Sequence, residues 1–240
     1  MGLRKLFPVL AVTAGLAGCS GDLSTLSPAG PVAASVARLW WVMAAGALVL
    51  FILVMALFLL TMLRPGFGRS VAPRTWIVLG GLVLPIPVLV PLLAYAFAQG
   101  ERLLLVGSAA GNPVRIEARS RMWQWEFIYL DHSGTPSTLD TLHIPAGVPV
   151  EIVATSEDVI HSFWVPRLAG KVDATPGHAA RLRLLADMPG VYHGACAEFC
   201  GSGHTAMLFT VRAHAPEDFV RVVEEAASVP RARVQPRAQP

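Results

Sequence analysis

The chain has 240 residues, of which 54% are hydrophobic and 15% charged. That balance is too apolar for an ordinary soluble domain and calls for membrane-spanning segments beside one modest folded domain. The formal charge of +3 is uneven, with six basic and one acidic residue in 1–100 against thirteen and fifteen in 101–240. No basic groove interleaved with aromatics accompanies it, so nothing points to a nucleic-acid partner.

Residues 1–19 read as a secretion signal, with Arg4 and Lys5 as the charged start and Leu6 to Gly15 as the apolar stretch. The signal ends in Leu16-Ala17-Gly18-Cys19, which resembles a bacterial lipobox with Cys19 as the lipid-bearing residue. The alternative is an ordinary signal or an uncleaved anchor with a chance cysteine. A lipid on Cys19 would add an anchor in membrane lipid. Residues 20–37 read as a linker, rich in Ser, Gly and Pro from Ser20 to Pro31.

Residues 38–100 read as a transmembrane hairpin. Leu39 to Leu63 carries no charge and at 1.5 Å per residue reaches about 37 Å, enough to cross a bilayer with tilt. Arg38 precedes it, and Trp40-Trp41 stand where an interfacial aromatic belt belongs. The loop from Arg64 to Thr75 holds Arg64, Arg69 and Arg74 and no acid, which places it in the cytoplasm by the positive-inside rule. Trp76 to Ala98 forms the second charge-free span, where Pro85, Pro87 and Pro91 predict a bend. Both ends of the hairpin then lie outside, in agreement with the secretion signal.

Residues 101–215 read as an all-β domain. Short apolar runs alternate with Gly, Pro and Asp breaks: Val114 to Ala118, Met122 to Tyr129, Thr141 to Ile144, Val148 to Thr155, Ala180 to Leu185 and Ala206 to Val211. That rhythm predicts an antiparallel sandwich or barrel. In residues 216–240, Pro216 to Ala227 reads as a short helix with Glu217 and Asp218 in its first turn, and the tail from Pro230 as disordered. No internal repeat, phosphate-cradling glycine motif or haem-attachment C-x-x-C-H is present.

The chemistry concentrates in V-Y-H-G-A-C-A-E-F-C-G-S-G-H-T-A-M. Cys196, Cys200, His204 and Met207 put two thiolates, an imidazole and a thioether in one loop, a soft donor set that selects copper over magnesium or calcium. Gly201 and Gly203 let the loop turn tightly between the ligands. One more imidazole would complete two tetrahedral coppers sharing both sulfurs. His161, in D-V-I-H-S-F-W-V-P, is the best candidate, because a strand-like run precedes it. The competing reading is a Cys196–Cys200 disulfide in an oxidising compartment. The added His and Met at short spacing favour copper. With the ligand loop before the last strand, the expected architecture is a two-helix transmembrane hairpin followed by an all-β cupredoxin-like sandwich with a short C-terminal helix.

D-V-I-H-S-F-W-V-P, D-A-T-P-G and P-G-V-Y-H-G-A-C-A-E-F-C-G-S-G-H-T-A-M together resemble subunit II of the haem–copper cytochrome c oxidases around its binuclear copper A centre. The resemblance is detailed from Trp123 to Phe219 and extends to the architecture of the whole chain. It implies that Cys196 and Cys200 bridge both coppers, that His161 and His204 each bind one, and that Met207 is a weak axial ligand. It also implies that Glu198 lends its backbone carbonyl to the other copper, while its side chain helps hold magnesium at the interface with subunit I. Trp123 corresponds to the tryptophan that lies exposed above the copper and receives electrons from cytochrome c. Trp125, two residues on and so on the same face of a strand, reads as packing. The implied partners are subunits I and III and cytochrome c. The implied location is the bacterial inner membrane, with the C-terminal domain in the periplasm.

Quinol-oxidising relatives share the fold and lack these ligands, so a metal-free quinol oxidase subunit II is one rival. A copper carrier or sensor is the other. His132, His143, His178, His193 and His214 fit no ligand position and read as surface or second-shell groups. Asp131, Glu151, Glu157, Asp158 and Asp173 are candidates for an acidic docking patch facing cationic cytochromes. One departure stands out. Many members of the family carry a glutamate near the cytoplasmic start of the second span, at the entrance of a proton pathway. Here Val71-Ala72-Pro73-Arg74-Thr75-Trp76 has no acid.

Overall fold

A computed structural model of the chain describes residues 20–106 and 112–228, except for the side chains of 101–106. The secretion signal, Cys19 with its lipobox and the tail from Pro230 lie outside the described residues. The chain divides into two compact units, Ser35–Val106 and a second unit holding the other described residues.

The first unit is helical. Helix α1 (Pro31–Leu63) starts eight residues before the charge-free run, with the fixed φ of Pro31 suited to a first helical position. Helices α2 (Pro73–Val78) and α3 (Pro85–Val106) are joined by a π-helical turn at Leu79–Val83. Both apolar stretches are long enough to cross a membrane, and their apolar side chains face outward on all sides. The cause of the π turn is local. Pro85 has no N–H to donate, and its ring would clash with the carbonyl four residues back. The chain widens there instead, and the Leu84 amide reaches the Leu79 carbonyl at 2.9 Å. The predicted bend is thus a widened turn at Gly80-Gly81, just ahead of the prolines.

The second unit is a β-sandwich. Among the described residues its ten strands are β1 (Val114–Arg121), β2 (Gln124–Tyr129), β3 (Ser137–Leu139), β4 (Thr141–Pro145), β5 (Val150–Ser156), β6 (His161–Trp164), β7 (Lys171–Ala174), β8 (Ala180–Leu184), β9 (Gly190–Cys196) and β10 (Leu208–His214). One sheet runs β3-β2-β1-β5-β8 and the other β4-β10-β9-β6-β7. Both are mixed rather than antiparallel throughout, because β1 pairs with β5 and β4 with β10 in parallel. Alternation along a strand reports which face is buried, not which neighbour runs beside it.

The core lies between the two sheets. Ile116 and Ala118 of β1, Trp125, Phe127 and Tyr129 of β2, and Phe209 and Val211 of β10 point inward at every second position. Trp125, Phe127, Phe163 and Phe209 form one aromatic cluster, with ring centroids 5.0 to 6.5 Å apart. Helix α4 (Pro216–Ser228) closes the far end by burying Phe219 and Val223, four residues apart on one face. The stretch that composition reads as a linker is also tied down. The Ala29 amide donates to the Arg167 carbonyl at 2.7 Å, Arg167 Nε to the Ser27 carbonyl at 2.8 Å, and the Asp187 amide to the Ala29 carbonyl at 3.0 Å.

Two histidines read as surface or second-shell groups prove to be a paired interior feature. His143 of β4 is buried, and its Nδ1 lies 2.9 Å from Nε2 of His214 on β10, with the rings stacked. Burial, then the neighbouring His214 and Arg212, pushes His143 down to about 4. Burial and Arg212 also lower His214, against Asp218, which raises it. The His143 amide donates to the Tyr129 hydroxyl at 2.8 Å, and Tyr129 stays neutral, since burial pushes it up to about 12. His143 is therefore neutral in the folded chain, while the unfolded chain takes up a proton below its ordinary value near 6.5. Stability is full above that value and falls as pH drops toward 4, by about 2 kcal/mol from this group. Thermal melting of the full chain between pH 7.5 and 4.5 should show that loss, and His143→Gln should flatten it.

Candidate metal centre

The candidate ligands come from three places in the sandwich. His161 opens β6, Cys196 ends β9, and Cys200, His204 and Met207 follow in the loop that leads into β10. β9 lies between β6 and β10, so chain segments distant in sequence converge at one end of one sheet. Cys196 N donates to the Met207 carbonyl at 3.0 Å and Ala197 N to the Ser162 carbonyl at 2.9 Å, which pins both ends of the loop.

The two cysteines are free, with their sulfurs 3.8 Å apart. His161 Nδ1 is 3.8 Å from Cys196 Sγ, His204 Nδ1 is 3.6 Å from Cys200 Sγ, and Met207 Sδ is 3.8 Å from Cys200 Sγ. The Glu198 carbonyl oxygen is 3.2 Å from Cys196 Sγ. Metal–sulfur bonds of about 2.3 Å and metal–nitrogen bonds of about 2.0 Å at tetrahedral angles put neighbouring donor atoms about 3.5 to 3.8 Å apart. The sulfur–sulfur and sulfur–nitrogen separations match that spacing, and the Glu198 carbonyl oxygen stands closer. Donor atoms of His161, Cys196 and Cys200 all lie within 4.8 Å of one another, and all three residues are buried. Each imidazole faces a different sulfur, so the donor set fits two soft metal ions sharing both thiolates.

Protonation agrees with that fit. Burial pushes the Cys196 thiol up, but hydrogen bonding with His161 and to the backbone outweighs it and brings the thiol down to about 6. Burial and the charge on Cys196 push Cys200 up to about 12. Near neutral pH the pair therefore keeps one proton, which a bound cation would displace. Burial lowers His161, yet Cys196 and Asp158 together hold it above its ordinary value. Asp158 Oδ1 accepts from His161 Nε2 at 2.9 Å. The reading of Asp158 as a docking acid leaves this contact out. The D-x-x-H spacing is the one signal for it.

Trp123 differs from its expected setting. β1 and β2 are joined by a tight turn at Met122-Trp123, with Arg121 paired to Gln124. Trp123 is thus a turn residue and does not share a strand face with Trp125, which is fully buried in the core. The Trp123 indole is half-buried on the ligand loop, and its Nε1 donates to the Cys200 carbonyl at 3.0 Å. The loop glycines make room for it, since a Cβ on Gly203 would lie 2.3 Å from the indole Cδ2.

The expected acidic patch is mostly paired. Asp131 binds Arg115 at 2.7 Å, Glu157 lies 3.8 Å from Arg119, and Asp173 lies 3.4 Å from Lys171. Glu151 is buried beneath Arg181 and Arg183. Each of these acids thus has a basic partner within the domain, which offsets part of the charge that would steer a cation.

Taken together, fold and site define a cupredoxin-like domain that follows two apolar helices and carries a soft-donor loop before its last strand. The family profile "Cytochrome C oxidase subunit II, periplasmic domain" matches residues 135–214. The chain is 31% identical over 236 residues to the cytochrome c oxidase subunit 2 of Alkalihalophilus pseudofirmus, covering 92% of this chain and 67% of the relative. It is 32% identical over 237 residues to a quinol oxidase subunit 2 of Bacillus cereus, covering 93% of this chain and 79% of that protein. A crystal structure of the periplasmic domain of subunit II of cytochrome oxidase from Bradyrhizobium japonicum aligns with a TM-score of 0.46 at 26% identity, over 49% of this chain and 96% of that one. The chain belongs to the subunit II family of the haem–copper oxidases, and such a subunit associates with the other subunits of its oxidase.

Proposed function

We propose that this chain is the electron inlet of a cytochrome c oxidase, taking electrons from cytochrome c at a binuclear copper A centre and passing them toward haem in subunit I. One observation carries the reading: two free thiols 3.8 Å apart, each with an imidazole nitrogen 3.6 to 3.8 Å away on a different sulfur. When bound, a copper pair would supply one-electron transfer with the charge spread over two metals. The chain's own residues would hold it: Cys196 and Cys200 would offer both thiolates, His161 and His204 an imidazole each, Met207 its thioether and Glu198 its backbone carbonyl. Burial in the sandwich holds these donors rigidly and keeps water out. The Glu198 carboxylate, a hard donor, suits magnesium at the contact with subunit I. The two apolar helices anchor the chain in the inner membrane beside subunits I and III, with the sandwich in the periplasm.

Trp123 is the residue through which electrons from cytochrome c arrive, since its indole rests on the loop and is hydrogen-bonded to a bridging cysteine's carbonyl. Trp123→Phe removes that bond and keeps an aromatic ring. Electron transfer from cytochrome c, followed by stopped flow, should slow several-fold while the copper spectrum stays unchanged. An unaltered rate would remove the assignment.

The quinol oxidase relatives support a second reading, a metal-free subunit II. Copper loading of the full-length chain in detergent, followed by electron spin resonance, separates the two. A seven-line mixed-valence signal is expected. Failure to take up copper favours the quinol branch, and a single mononuclear signal favours a carrier.

A further inference from the structure

Asp158 lies between β5 and β6, three residues before His161, and its carboxylate is engaged on both oxygens. Oδ1 accepts from His161 Nε2 at 2.9 Å and from the Val159 amide at 2.6 Å. Oδ2 accepts from the Met122 amide at 2.6 Å. Met122 begins the turn that carries Trp123, whose indole in turn donates to the Cys200 carbonyl. One side chain thus joins the β1–β2 turn to the segment bearing His161, and the turn reaches on to the ligand loop.

The chemistry of the contact is directional. A carboxylate only accepts, so Nε2 of His161 carries a proton, and in the neutral imidazole that a metal would meet the lone pair sits on Nδ1, the nitrogen that faces Cys196. An anionic partner on the far nitrogen also raises the basicity of the ligating one. Its side chain is 25% exposed, and both oxygens accept hydrogen bonds from within the domain. Burial pushes its carboxyl up, but the Met122 amide and His161 outweigh this and hold it below the ordinary carboxylate range.

We infer that Asp158 is a positioning residue that sets the tautomer and aim of His161 and, through Met122, seats the Trp123 turn on the ligand loop. The His161 half of this inference rests on the metal-centre reading given above. The Trp123 half does not.

Asp158→Asn in the full-length chain tests it, because asparagine keeps the size and loses the charge. Chelator competition should show copper affinity reduced ten-fold or more, the usual size of an outer-shell effect. The reduction potential of the bound copper should rise, since the oxidised site loses its anionic support. In copper-free protein, the Trp123 indole N–H, assigned by its absence in Trp123→Phe, should lose protection from hydrogen exchange. Unchanged affinity, potential and exchange together would overturn the inference. So would a variant whose only defect is weaker, salt-dependent reaction with a cationic cytochrome, which makes Asp158 a surface charge. A wild-type chain that binds no copper sinks the metal-centre reading instead, and indole exchange then decides the Trp123 half alone. Should the asparagine variant fail to fold, Asp158→Glu serves in its place. It keeps the charge but displaces the carboxylate by one methylene, so loss of indole protection is expected and retained protection overturns the inference.

Discussion

Replacing Cys200 with serine should abolish the mixed-valence copper signal and cut electron transfer from cytochrome c by more than the 10–100-fold typical of outer-shell changes. Cys200 links three other donors of the centre: Cys196 Sγ, His204 Nδ1 and Met207 Sδ all lie within 3.6 to 3.8 Å of its sulfur. Serine is nearly the same size, so the loop should close as before and the Trp123 contact with the residue-200 carbonyl should persist. What changes is the donor. A hydroxyl is hard and stays protonated near neutral pH, so it neither bridges two coppers nor matches a soft cuprous ion. His204 and Met207 then lose the sulfur that links them to the rest of the site. The remaining donors, His161 and Cys196 with the Glu198 carbonyl, suit a single copper. Electron spin resonance on the loaded full-length variant should show a mononuclear signal or none, while circular dichroism shows a native sandwich. A persistent seven-line signal would sink the bridging assignment.

The ligand set was legible because soft donors at spacings of three and four have few other uses, and His161 stood out at the start of a strand-like run. The fold class was legible for a related reason: charge-free runs of membrane length and short alternating runs are both one-dimensional patterns. Four things escaped. Strands β3, β7 and β9 are short or carry Gly, His and Cys in place of the usual β-branched residues, so composition hid them. The Met122-Trp123 turn lacks the Asn-Gly or Asp-Gly signature of a two-residue hairpin, so the second run reads as starting at Met122, inside the turn. The His143–His214 pair and the Asp158–His161 contact depend on strand neighbours and loop geometry. Asp131, Glu151 and Glu157 looked free because their arginine partners lie far along the chain, whereas Asp173 pairs with its near neighbour Lys171. The strand neighbours and the His143–His214 pair are long-range pairings, which no local pattern encodes, whereas the Asp158–His161 contact is local and signalled only by its D-x-x-H spacing.

Gly194→Ala should have the largest effect on stability, about 3 kcal/mol or more, although it adds a single methyl group. Gly194 sits in β9 directly opposite Phe209 of β10. A Cβ built there would lie 2.1 Å from Phe209 Cζ and 2.3 Å from Cε2, so the ring crosses the space a side chain would fill. The ring has little room to yield. It stacks on Phe163 at 5.0 Å and packs against Phe127 at 5.4 Å and Trp125 at 5.8 Å, and all of these are buried. Displacing Phe209 therefore displaces the aromatic cluster, and Trp125 in that cluster packs edge-on against His161 at 6.2 Å. Gly190, in the same strand, provides the internal comparison. Its nearest neighbour is the Tyr192 hydroxyl at 3.7 Å, an ordinary contact, so Gly190→Ala should change stability by less than about 0.5 kcal/mol. Chemical denaturation of the full-length variants should separate the two alanines clearly. Equal midpoints would mean that the cluster can shift as a body to admit the methyl group. The strain also predicts a functional trace: Gly194→Ala should broaden or shift the copper signal through Trp125 and His161, and Gly190→Ala should not.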